Sequence, residues 1–180
     1  MKEYSNYIFD FDYTLFDTSK GMNACYEKAF SSIGYKYKDN ELDLYVKESL
    51  EETFKRYSQD PNLFPIFEKF FLRTSKECMN NLSVPYYETI DVLKILKSLN
   101  KKLFIVTGKP RERVIEILKK YKCTGLFSGI IGYGDYKLPK PSPDSLNKCI
   151  QSYGLTKANS VYVGDSSYDI TAANKAGIDG

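Results

Sequence analysis

The chain has 180 residues, 42% of them hydrophobic, which is enough for one or two compact units with real cores. It carries 26 basic and 23 acidic side chains, interspersed, for a formal charge of +3; nothing in that balance points to nucleic acid or an anionic membrane, and no apolar run approaches the roughly 20 residues of a membrane span. There is no histidine, which excludes Ser-His-Asp and Cys-His nucleophile systems, His-ligated zinc and phosphohistidine chemistry and leaves acid–base work to Asp, Glu, Lys, Tyr or Cys.

The first predicted element is a buried strand over residues 7–12, Tyr7-Ile8-Phe9-Asp10-Phe11-Asp12. Asp17-Thr18-Ser19 can cap a helix running to about Ser32, with Met22, Cys25, Tyr26, Ala29 and Phe30 on one face and Gly34 as its stop. Residues 39–79 read as helical throughout. Within them Ser49 to Glu52 fits a capping box, and Asp60-Pro61 fits the first turn of another helix. Phe54, Phe64, Phe67 and Phe71 are expected to fill the core of this helical bundle. After Val84-Pro85 helices and strands alternate. Helices are predicted over 86–99, 111–121, 143–153 and 168–176, and strands over 103–106, 129–132 and 160–163. This rhythm predicts an α/β fold: a doubly wound parallel sheet built from residues 1–17 and 83–180, with an inserted α-helical unit at 18–82. Cys25, Cys78, Cys123 and Cys149 form no Cys-x-x-Cys pair, and no long apolar core follows Met1-Lys2-Glu3-Tyr4. Free thiols, no signal peptide and a cytoplasmic location are therefore expected.

Polar residues gather where parallel strands end, the edge at which open α/β sheets place ligands. The first strand delivers Asp10 and Asp12, suited to ligating a hard cation or to attacking phosphorus. The second ends in Thr107, a hydroxyl donor, and Gly108, whose missing Cβ lets its N–H approach a ligand. The last closes in Asp165, with Asp169 one helical turn beyond, and Lys140 precedes a helix on the same edge. Each has a plain structural reading: an Asx turn at Asp10 and Asp12, a simple turn at Thr107-Gly108, a solvated Lys140, and a helix cap and first-turn acid at Asp165 and Asp169.

The set of motifs resembles that of the haloacid dehalogenase-like hydrolases, in their capped phosphatase branch, which includes phosphoglycolate phosphatase and β-phosphoglucomutase-like members. Asp10-Phe11-Asp12-Tyr13-Thr14 is similar to the first motif, Thr107-Gly108 to the second, Lys140 to the third, and Gly164-Asp165-Ser166-Ser167-Tyr168-Asp169 to the fourth, in family order over nearly the whole chain. The insert lies where that branch carries its helical cap. The resemblance implies Asp10 as nucleophile forming an aspartyl-phosphate, and Asp12 as general acid and base. It implies Mg²⁺ held by Asp10, Asp12 (through its carbonyl) and Asp165, with Asp169 a ligand or supporting partner. Thr14, Thr107, Gly108 and Lys140 would bind phosphate. Retention of Asp12 sets the chain apart from the dehalogenases and points to a phosphatase acting on a small phosphorylated metabolite; a β-phosphoglucomutase-like mutase and a catalytically quiet phosphate-binding or signalling protein are the alternatives. A monomer is expected.

Three features depart from the family pattern. Lys47 stands about where many caps have a glycine before a Ser/Pro-Leu pair; Lys47, Glu48 and Ser49 are expected to face the substrate. Tyr13 replaces the usual glycine of the first motif. Family members usually continue past Ala176-Gly177-Ile178-Asp179-Gly180 through another strand and helix, so a truncated chain lacking its last core strand is expected.

Overall fold

The computed structural model describes residues 2–46 and 49–180. The chain divides into two compact units, Met1–Asp17 with Pro85–Gly180, and Thr18–Val84.

The first unit is built on a parallel sheet ordered β5-β4-β1-β6, from β1 (Asn6–Phe9), β4 (Lys102–Pro110), β5 (Gly129–Tyr133) and β6 (Ser160–Val163). β1 is central, with Ile8 opposite Phe104 on one side and Tyr162 on the other. Successive strand side chains point to opposite faces, and two cores result. Ile8, Phe104, Val106 and Tyr162 face Leu146, Cys149 and Ile150 of α7 (Asp144–Tyr153) and Ala172, Ala173 and Ala176 of α8 (Ser167–Ala176). Phe9, Leu103, Ile105 and Ile130 face Leu93 of α5 (Thr89–Ser98) and Val114, Ile117 and Leu118 of α6 (Arg111–Lys120). Helices on both faces make the sheet doubly wound, as its β–α alternation predicts. Beyond β6, Val161 and Asp179 form an isolated parallel bridge, with Tyr162 N–H donating to the Asp179 carbonyl at 2.8 Å. The chain leaves this unit at β2 (Phe16–Asp17) and returns at β3 (Val84–Pro85), where Tyr86 N–H donates to the Leu15 carbonyl at 3.2 Å.

The second unit is helical: α1 (Ser19–Ser32), a single 3-10 turn at Asp39–Glu41, α2 (Leu42–Tyr45), α3 (Leu50–Lys55) and α4 (Phe64–Leu82). Its core is aromatic, with Tyr26, Phe30, Tyr45, Phe54 and Phe67 buried and Phe64 and Phe71 packed against them, the core-filling role expected of the phenylalanines. Phe30 and Phe67 meet edge-to-face at 5.0 Å, a favoured arrangement for rings. Gly21 lets α1 lie close to α4, since a Cβ there would sit 2.5 Å from the Met79 sulfur.

Some boundaries differ from those predicted. α4 begins at Phe64 rather than at Asp60-Pro61, because the Asp60 carboxylate accepts from the N–H and side-chain amide of Asn62 and closes a local turn instead. The first strand ends at Phe9, before Asp10. The helix predicted from 86 starts at Thr89, after Glu88 in a left-handed conformation at φ 65°. Thr18 occupies the N-cap of α1, but its hydroxyl makes no capping bond.

Candidate active site

Asp10 follows β1 directly, and its N–H donates to the Val163 carbonyl at 2.8 Å, which ties the ends of β1 and β6 together. Its side chain is buried, with 8% of the residue exposed. A carboxylate removed from water needs a counter-charge, and Lys140 supplies one: Nζ lies 3.0 Å from Asp10 Oδ1. Burial pushes the Asp10 carboxyl up to about 6, with Lys140 opposing that rise and Asp12 and Asp169 adding to it.

Lys140 is held from several sides. Nζ donates to Asp169 Oδ1 at 2.6 Å and to the Tyr162 hydroxyl at 2.9 Å. Burial pulls this ammonium down, but Asp10 and Asp169 more than reverse the effect and hold it above the ordinary lysine value. The Tyr162 hydroxyl has one proton to share between the Val106 carbonyl at 3.0 Å and Asp169 Oδ1 at 3.2 Å. Since Val106 lies on β4 and Tyr162 on β6, this side chain reaches past β1 and links the two strands flanking the one that leads to Asp10.

Asp169 is buried at the start of α8. Its Oδ2 accepts from the Ser166 N–H at 3.0 Å and from Ser166 Oγ at 2.6 Å, while Ser166 Oγ accepts from Asp169 N–H at 3.3 Å, a capping box. Both carboxylate oxygens are thus engaged, one by Lys140 and Tyr162 and one by Ser166. Although burial alone would raise its pKa, Lys140 and Ser166 together hold the Asp169 carboxyl below the usual carboxylate range. Gly164 makes room for it: a Cβ there would lie 2.4 Å from Asp169 Cγ.

Asp10, Asp165 and Asp169 each offer a carboxylate oxygen within 4.8 Å of the others, with Asp165 exposed. Three hard oxygen donors at that spacing, one of them exposed and able to admit an ion, fit an octahedral divalent cation such as Mg²⁺ that keeps some of its waters. Thr14 donates its hydroxyl to Asp165 Oδ1 at 3.1 Å, so it meets this acidic group. Thr107 is buried; its Oγ1 accepts from the Lys109 N–H at 3.2 Å, which leaves its hydroxyl proton to donate elsewhere, and a Cβ on Gly108 would meet nothing within 4 Å. Asp12 is paired with Lys109, Nζ to Oδ1 3.0 Å.

The structure therefore brings Asp10, Asp12, Thr14, Thr107, Gly108, Lys140, Asp165 and Asp169 into the strand-end region of the first unit. Ser49 belongs to the second unit, where its hydroxyl accepts from Glu52 N–H at 3.2 Å and its own N–H donates to Glu52 Oε2 at 2.8 Å, the capping box expected from sequence. Lys47 and Glu48 lie outside the described residues. Sequence reasoning missed Lys109, Tyr162 and Ser166. The position of Tyr162 was visible in principle, since strand alternation puts it on the same face as Ile8 and Asp10. Ser166, three residues before Asp169, carried a capping-box spacing.

Comparison with known proteins adds relatives to this geometry. The family described as "Haloacid dehalogenase-like hydrolase" matches residues 7–180. A phosphoglycolate phosphatase of Aliivibrio fischeri is 30% identical over 179 residues, covering 94% of this chain and 79% of that protein. The pyrophosphatase PpaX of Halalkalibacterium halodurans is 28% identical, covering 98% of this chain and 81% of its own. Among solved structures, a haloacid dehalogenase-like hydrolase of Bacteroides fragilis superposes with a TM-score of 0.88 at 28% identity, over 98% of this chain and 85% of that one.

Proposed function

The chain belongs to the haloacid dehalogenase-like hydrolases, on the phosphatase side of that family, and we propose that it is a Mg²⁺-dependent phosphatase of a small phosphorylated metabolite, working through an aspartyl-phosphate on Asp10. The observation that carries this reading is the buried Asp10 carboxylate at the end of β1, set between Lys140 and the acidic group that includes Asp165 and Asp169. Phosphoglycolate and pyrophosphate are the first substrates to test, since relatives across nearly the whole chain are phosphatases of that kind by name.

Asp10, the Asp12 carbonyl and Asp165 would hold the magnesium ion, with Asp169 supporting from its place between Lys140 and Ser166. When bound, the ion supplies positive charge against the phosphate oxygens and lets two neighbouring carboxylates face an anionic substrate. The Asp10 carboxylate attacks phosphorus, and the bond from phosphorus to the leaving oxygen breaks. Asp12 donates a proton to that oxygen, then takes one from the water that attacks phosphorus and releases Asp10. Lys140, the Thr107 hydroxyl and the Gly108 N–H steady the equatorial oxygens of the transferring group. Tyr162 and Asp169 keep the Lys140 ammonium aimed at Asp10. The first unit is the catalytic core and the helical unit its cap, with Ser49 and Lys47 on the cap as contributors to substrate choice.

The test is phosphate release from phosphoglycolate, pyrophosphate and an aryl phosphate, with Mg²⁺ and with excess chelator, beside Asp10→Asn. Turnover that needs the metal and is lost in the variant is the expected result. Full activity in chelator, or in Asp10→Asn, overturns the mechanism.

A further inference from the structure

Lys109 stands beside the site with no part in the mechanism above. Its Nζ is 3.0 Å from Asp12 Oδ1, and only 8% of its side chain is exposed. An irregularity in the sheet aims it there. β4 and β5 are in register at Val106 with Ile131 and again at Pro110 with Tyr133, so residues 107–109 face Gly132 alone. Extra residues in one strand bend it locally and re-aim its side chains. Three features hold this bulge. The Lys109 N–H donates to Thr107 Oγ1 at 3.2 Å, and the Tyr136 hydroxyl donates to the Thr107 carbonyl at 3.3 Å. Gly132 packs so tightly that a Cβ would lie 2.6 Å from the Arg111 nitrogen and 2.9 Å from the Lys109 carbonyl oxygen. The bulge carries the phosphate-facing pair Thr107 and Gly108 as well as Lys109, so one backbone feature sets all three.

We infer that Lys109 is a positioning residue for Asp12: the ion pair claims Oδ1 and leaves Oδ2 as the oxygen that passes the proton to the leaving group. The inference rests on the reading of Asp12 as proton donor. A carboxyl on an aspartate turns about a broad, two-fold terminal torsion, so without a fixed partner its two oxygens exchange roles and direction. A proton donor works only within hydrogen-bond reach of the atom it protonates. An ammonium held on a bulged strand at one oxygen removes that freedom and presents the other oxygen consistently.

The consequence depends on the leaving group. A nitrophenolate departs without a proton, whereas an alkoxide needs one. A residue that merely supports the fold would, when lost, slow every ester alike. The experiment measures kcat/KM of the Mg²⁺-loaded protein on p-nitrophenyl phosphate, phenyl phosphate and an alkyl phosphate, for the wild type, Lys109→Met and Asp12→Asn, with thermal unfolding of each. Lys109→Met is expected to lose about tenfold more on the alkyl ester than on the nitrophenyl ester, a part of the full contribution of a general acid. Lys109→Gln, run on the same panel, carries the comparison if Lys109→Met does not fold. Equal losses on all three esters, or none, overturn the inference. Asp12→Asn separates the two readings: if its own loss ignores the leaving group, the acid role of Asp12 falls and the inference with it. Selective loss in Asp12→Asn without selective loss at Lys109 overturns the inference alone.

Discussion

Replacing Asp10 with asparagine is expected to stabilise the metal-free protein while removing its activity. Burial lifts the Asp10 carboxyl from an ordinary 3.8 to about 6, against the pull of Lys140. A carboxyl whose pKa is higher in the folded state binds its proton more tightly there, so its ionisation withdraws stability as pH rises through the folded value. Roughly two pKa units at about 1.4 kcal/mol each give about 3 kcal/mol withdrawn at about pH 7.5. At about pH 5 the folded carboxyl is mostly protonated and the unfolded one still ionised, and the same relation leaves about half of that. Asparagine copies the protonated shape, and Lys140 keeps Asp169 at 2.6 Å. The assay is urea unfolding in excess chelator at both pH values. The carboxyls of Asp169 and Asp144 are held below their ordinary value; their stabilisation is lost only as pH falls below this window, and both proteins share it. Asp10→Asn should therefore be more stable than wild type by up to about 3 kcal/mol at about pH 7.5, with the gain shrinking by about half near pH 5. A variant no more stable at the higher pH, or one whose gain grows on acidification, refutes the reasoning. Such a gain would mean that the Asp10 carboxylate is kept at the expense of stability, as functional groups commonly are.

Gly164→Ala would place a methyl 2.4 Å from Asp169 Cγ, and Asp169 is pinned by Ser166 and Lys140; a loss of about 1–3 kcal/mol in thermal unfolding is expected, and an unchanged melting temperature would count against the tight fit. Tyr162→Phe keeps the ring but takes one acceptor from Lys140 and one donor from the Val106 carbonyl. It should lower stability by about 1–2 kcal/mol and reduce kcat more than it changes KM; a variant matching wild type in both would show that Asp169 alone orients Lys140. Ser49→Ala removes the capping box of α3, so amides of Leu50–Lys55 should exchange faster and stability should fall by about 1 kcal/mol, with unaltered exchange the opposing result.

Much of this architecture was legible in the sequence because it depends on short-range patterns. The unbroken apolar run Tyr7-Ile8-Phe9 marks a strand buried on both faces, and Asp10 and Asp12, which come directly after it, had to lie at its end. The spacing of Val114 and Leu118, or of Ser49 and Glu52, needs only the period of a helix and its free N–H groups. The start of α4 was misjudged for an equally local reason, since an aspartate before proline can close a turn as readily as it opens a helix.

What the sequence determined by itself was the order of elements, the two-sided sheet and the identity of the groups collected at its edge. Tertiary structure alone decided which of those groups pair. Lys140 and Asp169 lie 29 positions apart, and Tyr162 meets Val106 across 56. Lys109 meets Asp12 from the stretch where β4 slips its register against β5 at Gly132. The reason is physical: strand and helix periods are properties of neighbours along the chain, whereas the loss of water around a charge and its attraction to another depend on distances that exist only once the strands are assembled.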